Sequence, residues 1–200
     1  MSQGEIILMP QLKDLSWSMV PRQSVPYANL GGQIVSYGQP YWGLTFTYEN
    51  LTEAQFRQLS AWIARREGAR YTFTAFRPTR RQPFVGPSVT NVGIGISSVD
   101  TANSEINFTG LPCDLTAGDM VGYSTAEGGY YVGEVLADAA RSGGAATASV
   151  RPAPVLEAAT ENARIVEALG EFQLESQPVI SEPHNKRYSV SFQARQVDRR

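Results

Sequence analysis

The chain has 200 residues, of which 42% are hydrophobic and 10% aromatic, and its formal net charge is −2. This composition supports a folded core in one large or two small β domains and excludes a disordered chain. No run of like charge indicates a nucleic-acid-binding face, and no apolar run approaches the roughly 20 residues of a membrane span. The single cysteine, Cys113, excludes an intrachain disulfide and a thiolate metal cluster. Residues 1–5 lack the features of a secretory signal, so we expect synthesis in the cytoplasm.

Three strands and an arm are predicted before residue 50. Residues 5–9 form a short strand, and residues 33–37 form a hairpin with a strand at 41–48, where apolar and small residues alternate. The stretch 12–30 is interrupted by prolines, which is typical of an edge strand or an extended arm. Its large apolar residues are candidate contacts with a neighbouring subunit: Trp17, Met19 and Tyr27.

The only convincing helix follows Thr52, which forms a capping box with Gln55 three residues later. Trp62 lies beside the main apolar stripe, so it is either a core residue or part of a contact surface. We expect the helix to end near Gly68 and a strand to follow at 71–76. The apolar stripe itself comprises Phe56, Leu59 and Ile63.

A proline-rich loop at 77–87 leads out of this region and carries the one basic cluster, Arg77, Arg80 and Arg81. These arginines either contact another subunit or the phosphates of passing DNA, or they belong to a solvated loop.

The middle of the chain, about 88–168, is patterned as short strands separated by turns roughly ten residues apart, which predicts a compact barrel or sandwich. A helical turn is expected at 154–160. The candidate strands are 92–99, 105–109, 120–124, 130–136, 145–151 and 163–168.

The last part of the chain contains alternating strands at 171–175 and 188–194, with a loop at 178–185 between them. Two strands cannot fold alone, so we expect them to join the sheet formed by the first part of the chain. The prediction is a mainly β (α+β) fold.

In this fold a discontinuous β-sandwich domain with one α-helix comprises residues 1–85 and 169–200. A small β-barrel comprising residues 86–168 is inserted between its two halves.

No residue pattern predicts catalysis, a cofactor or a metal. His184 is the only histidine and lies in a polar loop without the partners of a catalytic triad. Gly93-Ile94-Gly95 lacks the third glycine and the helix of a dinucleotide-binding loop. The acidic residues Glu105, Asp114 and Asp119 are explained by turns in which aspartates bond the backbone. We therefore expect a protein that is not an enzyme.

Residues 41–76, YWGLTFTYENLTEAQFRQLSAWIARREGARYTFTAF, resemble the N-terminal domain of the distal tail protein (Dit) family of long-tailed (siphovirus-type) bacteriophages. The segments EINFTGLPCDLTAGDMVGYSTAEGGYYVGEV and GGAATASVRPAP are similar to an inserted oligosaccharide-binding-barrel-like module, and FQLES with YSVSFQARQV resembles the returning strands of the belt domain.

The resemblance implies a virion structural protein of the phage tail tip or baseplate. The belt domain would form a hexameric ring that joins the tail tube to the hub and to peripheral receptor-binding proteins, with DNA passing only through the lumen. The family has no active site, so no catalytic residue carries over.

Two alternative functions stay open. One is another tail-joining subunit, such as a tube or terminator protein. The other is a carbohydrate-binding module or glycosidase that uses the inserted barrel. Its tyrosines Tyr123, Tyr130 and Tyr131 either stack on sugar rings or fill the barrel core.

Overall fold

The computed structural model describes residues 4–5, 12–24, 35–36, 38–86, 89–154, 158–181 and 186–197. The fold is mainly β, as predicted, with 48% of the described residues in strands and 9% in helices, including a short 3₁₀ helix at Pro78–Arg80. The elements, in chain order, are β1 (Gly4–Glu5), β2 (Leu12–Val20), β3 (Gln23–Ser24), β4 (Val35–Ser36), β5 (Tyr41–Leu51), α1 (Glu53–Ala64), β6 (Phe73–Ala75), β7 (Gly95–Asp100), β8 (Glu105–Thr109), β9 (Met120–Thr125), β10 (Tyr130–Val135), β11 (Ala146–Arg151), β12 (Ala158–Arg164), β13 (Gly170–Leu174), β14 (Val179–Ser181) and β15 (Tyr188–Gln196).

The chain divides into two compact units. The first unit comprises Met1–Ser18, Trp42–Ala75 and Glu171–Val197, and the second comprises Met19–Tyr41, Phe76–Gly170 and Asp198–Arg200. The sequence-based boundaries had assigned residues 19–41 and 76–85 to the first unit. Residues 76–85 group with the second unit because Arg77 and Arg81 form ion pairs with Glu134 and Glu167. Residues 19–41 contain the separate β3–β4 pair, which is not part of the seven-stranded sheet.

The first unit is a seven-stranded sheet that uses strands from both ends of the chain. The strand order is β1-β6-β13-β15-β5-β2, and β14 pairs with β15 beyond this path. β15 lies antiparallel between β5 and β13, so the prediction that the terminal strands join the N-terminal sheet is confirmed. Within the described residues its layers are one sheet and one helix.

The core of the first unit follows from the alternation predicted along β5. The side chains of Trp42, Leu44, Phe46 and Tyr48 are all buried. Phe46 stacks on Phe192 of β15 with ring centroids 4.7 Å apart. Because a strand directs alternate side chains to opposite faces, one face of β5 supplies the core.

Helix α1 begins with the predicted capping box. Thr52 accepts a bond from the Gln55 backbone N–H, and the Gln55 side chain accepts one from the Thr52 N–H at 2.9 Å. The helix ends at Ala64, earlier than expected, and Gly68 takes a positive φ of 68° four residues later. The predicted stripe was incomplete because Trp62, three residues after Leu59, also lies on the buried face.

The second unit contains a six-stranded antiparallel sheet in the order β12-β9-β10-β11-β8-β7. The two end strands, β12 and β7, lie against each other, so the sheet closes on itself around an apolar core. Five of the six predicted strands are confirmed to within a few residues, whereas the sixth, predicted at 163–168, lies at 158–164 and overlaps the prediction by only two residues.

Three local predictions were wrong. The predicted hairpin between the strands at 33–37 and 41–48 is not formed by the described residues. The first of these strands is described only at 35–36, where it pairs with β3, whereas β5 lies between β15 and β2. Residues 158–160 begin strand β12 instead of a helical turn, because pairing with β9 overrides the helical preference of alanines. Residues 179–181 form β14 instead of a loop. Residues 6–9, 155–157 and 182–185, including His184, lie outside the described residues.

Candidate assembly surfaces

Trp17, a predicted subunit contact, contributes to the core of its own unit. It lies on β2, at the end of the strand path, and its ring meets Trp42 and Phe172 edge-on at centroid distances of 5.8 and 5.3 Å. Met19 on the same strand is half-buried. Tyr27, the third candidate of the arm, lies outside the described residues.

Trp62 is a core residue, which is one of the two alternatives that the sequence left open. Its side chain is 7% exposed and lies edge-on against Phe73, with ring centroids 5.1 Å apart. The Arg66 guanidinium covers the indole, 4.8 Å from its centroid. The Arg66 pKa is lowered, first by burial and then by the neighbouring charge of Arg65.

The three arginines of the basic loop are paired within the second unit. Arg77 and Arg80 lie 4.0 and 3.9 Å from the Glu134 carboxylate, and Arg80 also donates to the Gly118 carbonyl. Arg81 forms an ion pair with Glu167. The loop is therefore held against the barrel strands, and its charge is largely balanced. A contact of these arginines with another subunit or with DNA stays a prediction.

Two surface features that the sequence analysis missed are exposed apolar side chains. In the first unit, all three residues of β14 are exposed, with Val179 at 71% and Ile180 at 48%. β14 pairs with β15 on one side, and no other described strand pairs with its second side. An exposed apolar edge strand is a template for pairing with another chain. β14 was missed because its three residues, Val179-Ile180-Ser181, are too few to form a recognisable strand pattern.

The second feature is a set of exposed apolar side chains in the second unit. Phe84 is 82% exposed, Val85 46% and Val92 86%. The Phe84 backbone N–H donates to Asp119 at 2.9 Å, so the exposed ring stands on a fixed backbone position. Rigid exposed aromatic residues are typical anchors of protein interfaces. The apolar pair Phe84-Val85 between Pro83 and Pro87 is the sequence signal that could have identified this group.

Two of the three acidic residues considered for glycosidase chemistry, Asp114 and Asp119, accept backbone N–H groups. Asp119 is 4% exposed, and its carboxylate accepts the N–H groups of Phe84 and Thr116 at 2.9 and 2.8 Å. Asp114 accepts the Arg141 N–H at 2.9 Å. Within the described part of the chain, no group of three or more His, Cys, Asp or Glu residues could hold a metal ion.

The barrel tyrosines fill the core, the second of the two roles that the sequence allowed. Tyr123 is 1% exposed and Tyr131 is 6% exposed, and their rings stack with centroids 4.8 Å apart. The Tyr131 hydroxyl donates to the Pro152 carbonyl. Burial raises the pKa of both phenols, so they stay neutral. Tyr130 is half-buried.

Comparison of the chain with protein-family models and with curated proteins finds no match. The helices among the described residues are too short or too polar to cross a membrane.

Proposed function

We propose that this chain is a structural ring subunit of a phage tail tip or baseplate. The observation that supports the proposal best is the strand order of the first unit, in which β13 and β15 from the end of the chain lie beside β5 and β6 from its first half. This arrangement makes Phe76–Gly170, the larger part of the second unit, an insertion between β6 and β13. The resemblance to distal tail proteins implies the same order along the chain, in which a domain is divided by an inserted module.

The outer strands of the first unit support association between identical chains. β2 ends the strand path on one side, and β14 exposes Val179 and Ile180 with one side unpaired among the described strands. A head-to-tail contact between two different edges produces a closed ring when the rotation between subunits closes. A ring therefore covers edges that would be an aggregation hazard in a monomer.

In the proposed tail tip, the ring is a homo-hexamer that joins the tail tube to hub or baseplate proteins, with receptor-binding proteins at its periphery. DNA passes only through the lumen, and the protein resides in the virion. The exposed Phe84 and Val92 of the second unit are the side chains best suited to contact a different partner protein.

A carbohydrate-binding module is the alternative function. Burial of Tyr123 and Tyr131 removes two of the three stacking residues on which that alternative relied. Another tail-joining subunit is the remaining alternative, and the inserted second unit argues against it because such subunits are typically single compact domains.

The test is the molar mass of the purified full-length chain across a concentration series, combined with negative-stain electron microscopy. The chain mass is 21.8 kDa, and the proposal expects a sixfold larger particle that appears as a ring. Because subunit association follows mass action, the ring should dominate at the highest concentrations. A monomer throughout the series, without rings in the micrographs, would contradict the proposal.

A further inference from the structure

A cavity of about 420 Å³ lies in the second unit. Part of its lining comes from β3, β4 and residues 38–40, and part comes from the end of β11 and the turn before β8. Its volume falls within the range of small-molecule sites, roughly 300–1,000 Å³. The cavity can therefore hold a group larger than a single ion.

The polar part of the cavity lining consists mainly of hydrogen-bond donors. Arg22 and Arg151 provide the two positive charges, and Ser104 and the side-chain amides of Gln23 and Gln39 add further donors. The Ser36 hydroxyl donates to the Arg22 and Gly38 carbonyls and is left as an acceptor for a ligand hydroxyl. Among the described residues that line the cavity, none is acidic. Such a lining complements a negative charge.

Arg151 is the residue whose charge is least compensated. It ends β11 and is exposed, and no carboxylate of the described residues lies within ion-pair distance of it. Glu134 is its cross-strand neighbour, but that carboxylate lies near Arg77 and Arg80. With respect to the described part of the chain, Arg151 is therefore available to an external anion.

Arg22 and Ser104 are positioned by their surroundings. The Arg22 guanidinium lies over the Tyr41 ring, 5.2 Å from its centroid, which limits the orientations of the planar group. The Ser104 carbonyl accepts the Val150 N–H at 2.8 Å, which ties the turn before β8 to β11. Partners that are fixed before binding reduce the entropic cost of capturing a ligand.

The remaining lining is apolar or compact: Met19, Pro21, Pro40 and Ala153, with Gly38 between them. We propose that this cavity binds a small ligand of monosaccharide size that carries an oxyanion, either a phosphate or a carboxylate. Arg151 and Arg22 contact the oxyanion, the serines and glutamines contact hydroxyl groups, and the apolar residues contact the carbon skeleton.

The experiment is isothermal titration of the full-length chain, at low salt, with glucose 6-phosphate, glucuronate, glucose and inorganic phosphate. We expect one or both anionic sugars to bind, with the stronger of the two identifying phosphate or carboxylate as the preferred group. Glucose and inorganic phosphate should each bind at least about tenfold more weakly than that sugar, because each lacks part of the complementary surface. No binding of either anionic sugar, or equal binding of glucose, would overturn the proposal. Equal binding of inorganic phosphate would overturn the assignment of a sugar-sized ligand.

Two variants test the residues. Arg151→Gln should weaken the stronger anionic sugar by about tenfold or more, because it removes a charge-assisted contact. Arg22→Gln tests the second arginine independently if the first variant fails to fold. Arg65→Gln, an equal charge change at an exposed position in the first unit, is the matched control and should leave binding unchanged. Equal affinity in the wild type and in both cavity variants would contradict the assignment. The cavity lies within one chain, so ligand binding and ring formation are tested separately.

Discussion

Asp119 stabilises the turn before β9 through its buried carboxylate. Its carboxylate accepts the N–H groups of Phe84 and Thr116, and the residue is 4% exposed. Asp119→Ala leaves both amides without this acceptor, so we expect a loss of about 2–4 kcal/mol in the free energy of unfolding. Urea denaturation measures it.

The control for Asp119 is Asp138→Ala. Asp138 is exposed and accepts a single N–H, from Ala117 at 2.9 Å. Water can replace that acceptor, so the expected loss is about 1 kcal/mol or less. Equal losses in the two variants would show that burial of the Asp119 carboxylate has no special role.

Cys113 should be unreactive in the folded protein. It is 7% exposed, and its thiol pKa is raised by burial and by the nearby charge of Asp119, against a smaller opposite effect of Arg141. Near neutral pH the reactive thiolate is therefore scarce. We expect an aromatic disulfide reagent to react at least about tenfold more slowly with the native chain than with the chain in denaturant. Similar rates in both conditions would contradict this assignment.

For single residues, the sequence predicted the environment of a side chain better than the residues that it contacts. The sequence could not decide whether Trp62 is a core residue or part of a contact surface, because helical spacing places it at the border of the apolar stripe. Packing against Phe73 of β6 decides it in the structure. The pairing of Arg81 with Glu167, 86 positions apart, has no local signal at all.

At the scale of single elements, the start of α1 is encoded locally by the capping box of Thr52 and Gln55. Replacing Thr52 by alanine removes the acceptor for the Gln55 N–H, so we expect a loss of about 1 kcal/mol in unfolding free energy. Thr52→Ser keeps the hydroxyl and is the control, with an expected change of at most about 0.5 kcal/mol. Chemical denaturation with tryptophan fluorescence measures both. A serine variant as unstable as the alanine variant would indicate lost packing of the threonine methyl group rather than a lost cap.

The strength of the local sequence pattern explains which elements were predicted correctly. β5 and β15 have long alternating patterns, and their inward positions are the buried ones. The pairing of β4 with β3 and the strand character of β12 depend on partners elsewhere in the chain, so short or alanine-rich segments gave wrong predictions. The exposed strand β14 has no buried face and therefore no pattern to detect.

At the scale of the whole chain, the two ends of the polypeptide meet in one sheet. β13 and β15 pair with strands more than 90 positions earlier, through β6 and β5. This connectivity could be inferred from the sequence because an isolated terminal strand pair is unstable. The cavity lined by β3, β4 and β11 could not be inferred from the sequence, since its two arginines are far apart along the chain.

The connectivity also determines how the ring proposal should be tested. Removal of residues 1–30 would delete Trp17, which packs on Trp42 and Phe172, so loss of assembly in that truncation would not be informative. A substitution on the outside of the sheet is the cleaner test.

We expect the double variant Val179→Lys and Ile180→Lys to lose the assembled state and to have the molar mass of a single chain. Both side chains are exposed, so the free energy of unfolding of the monomer should change by at most about 0.5 kcal/mol. Lysines on the edge oppose strand pairing because each neighbouring chain would bring a charge into the contact. Light scattering measures the mass, and thermal or urea denaturation measures the stability.

The matched control is Val85→Lys and Val92→Lys in the second unit, which adds the same charge at residues that are 46% and 86% exposed. If β14 forms the contact between subunits, this control assembles like the wild type while the β14 variant does not. Assembly of both variants would exclude β14 from the contact, and loss of assembly in both would indicate that net charge, rather than the edge strand, controls association. Only the difference between the two variants therefore assigns the contact to the strand edge.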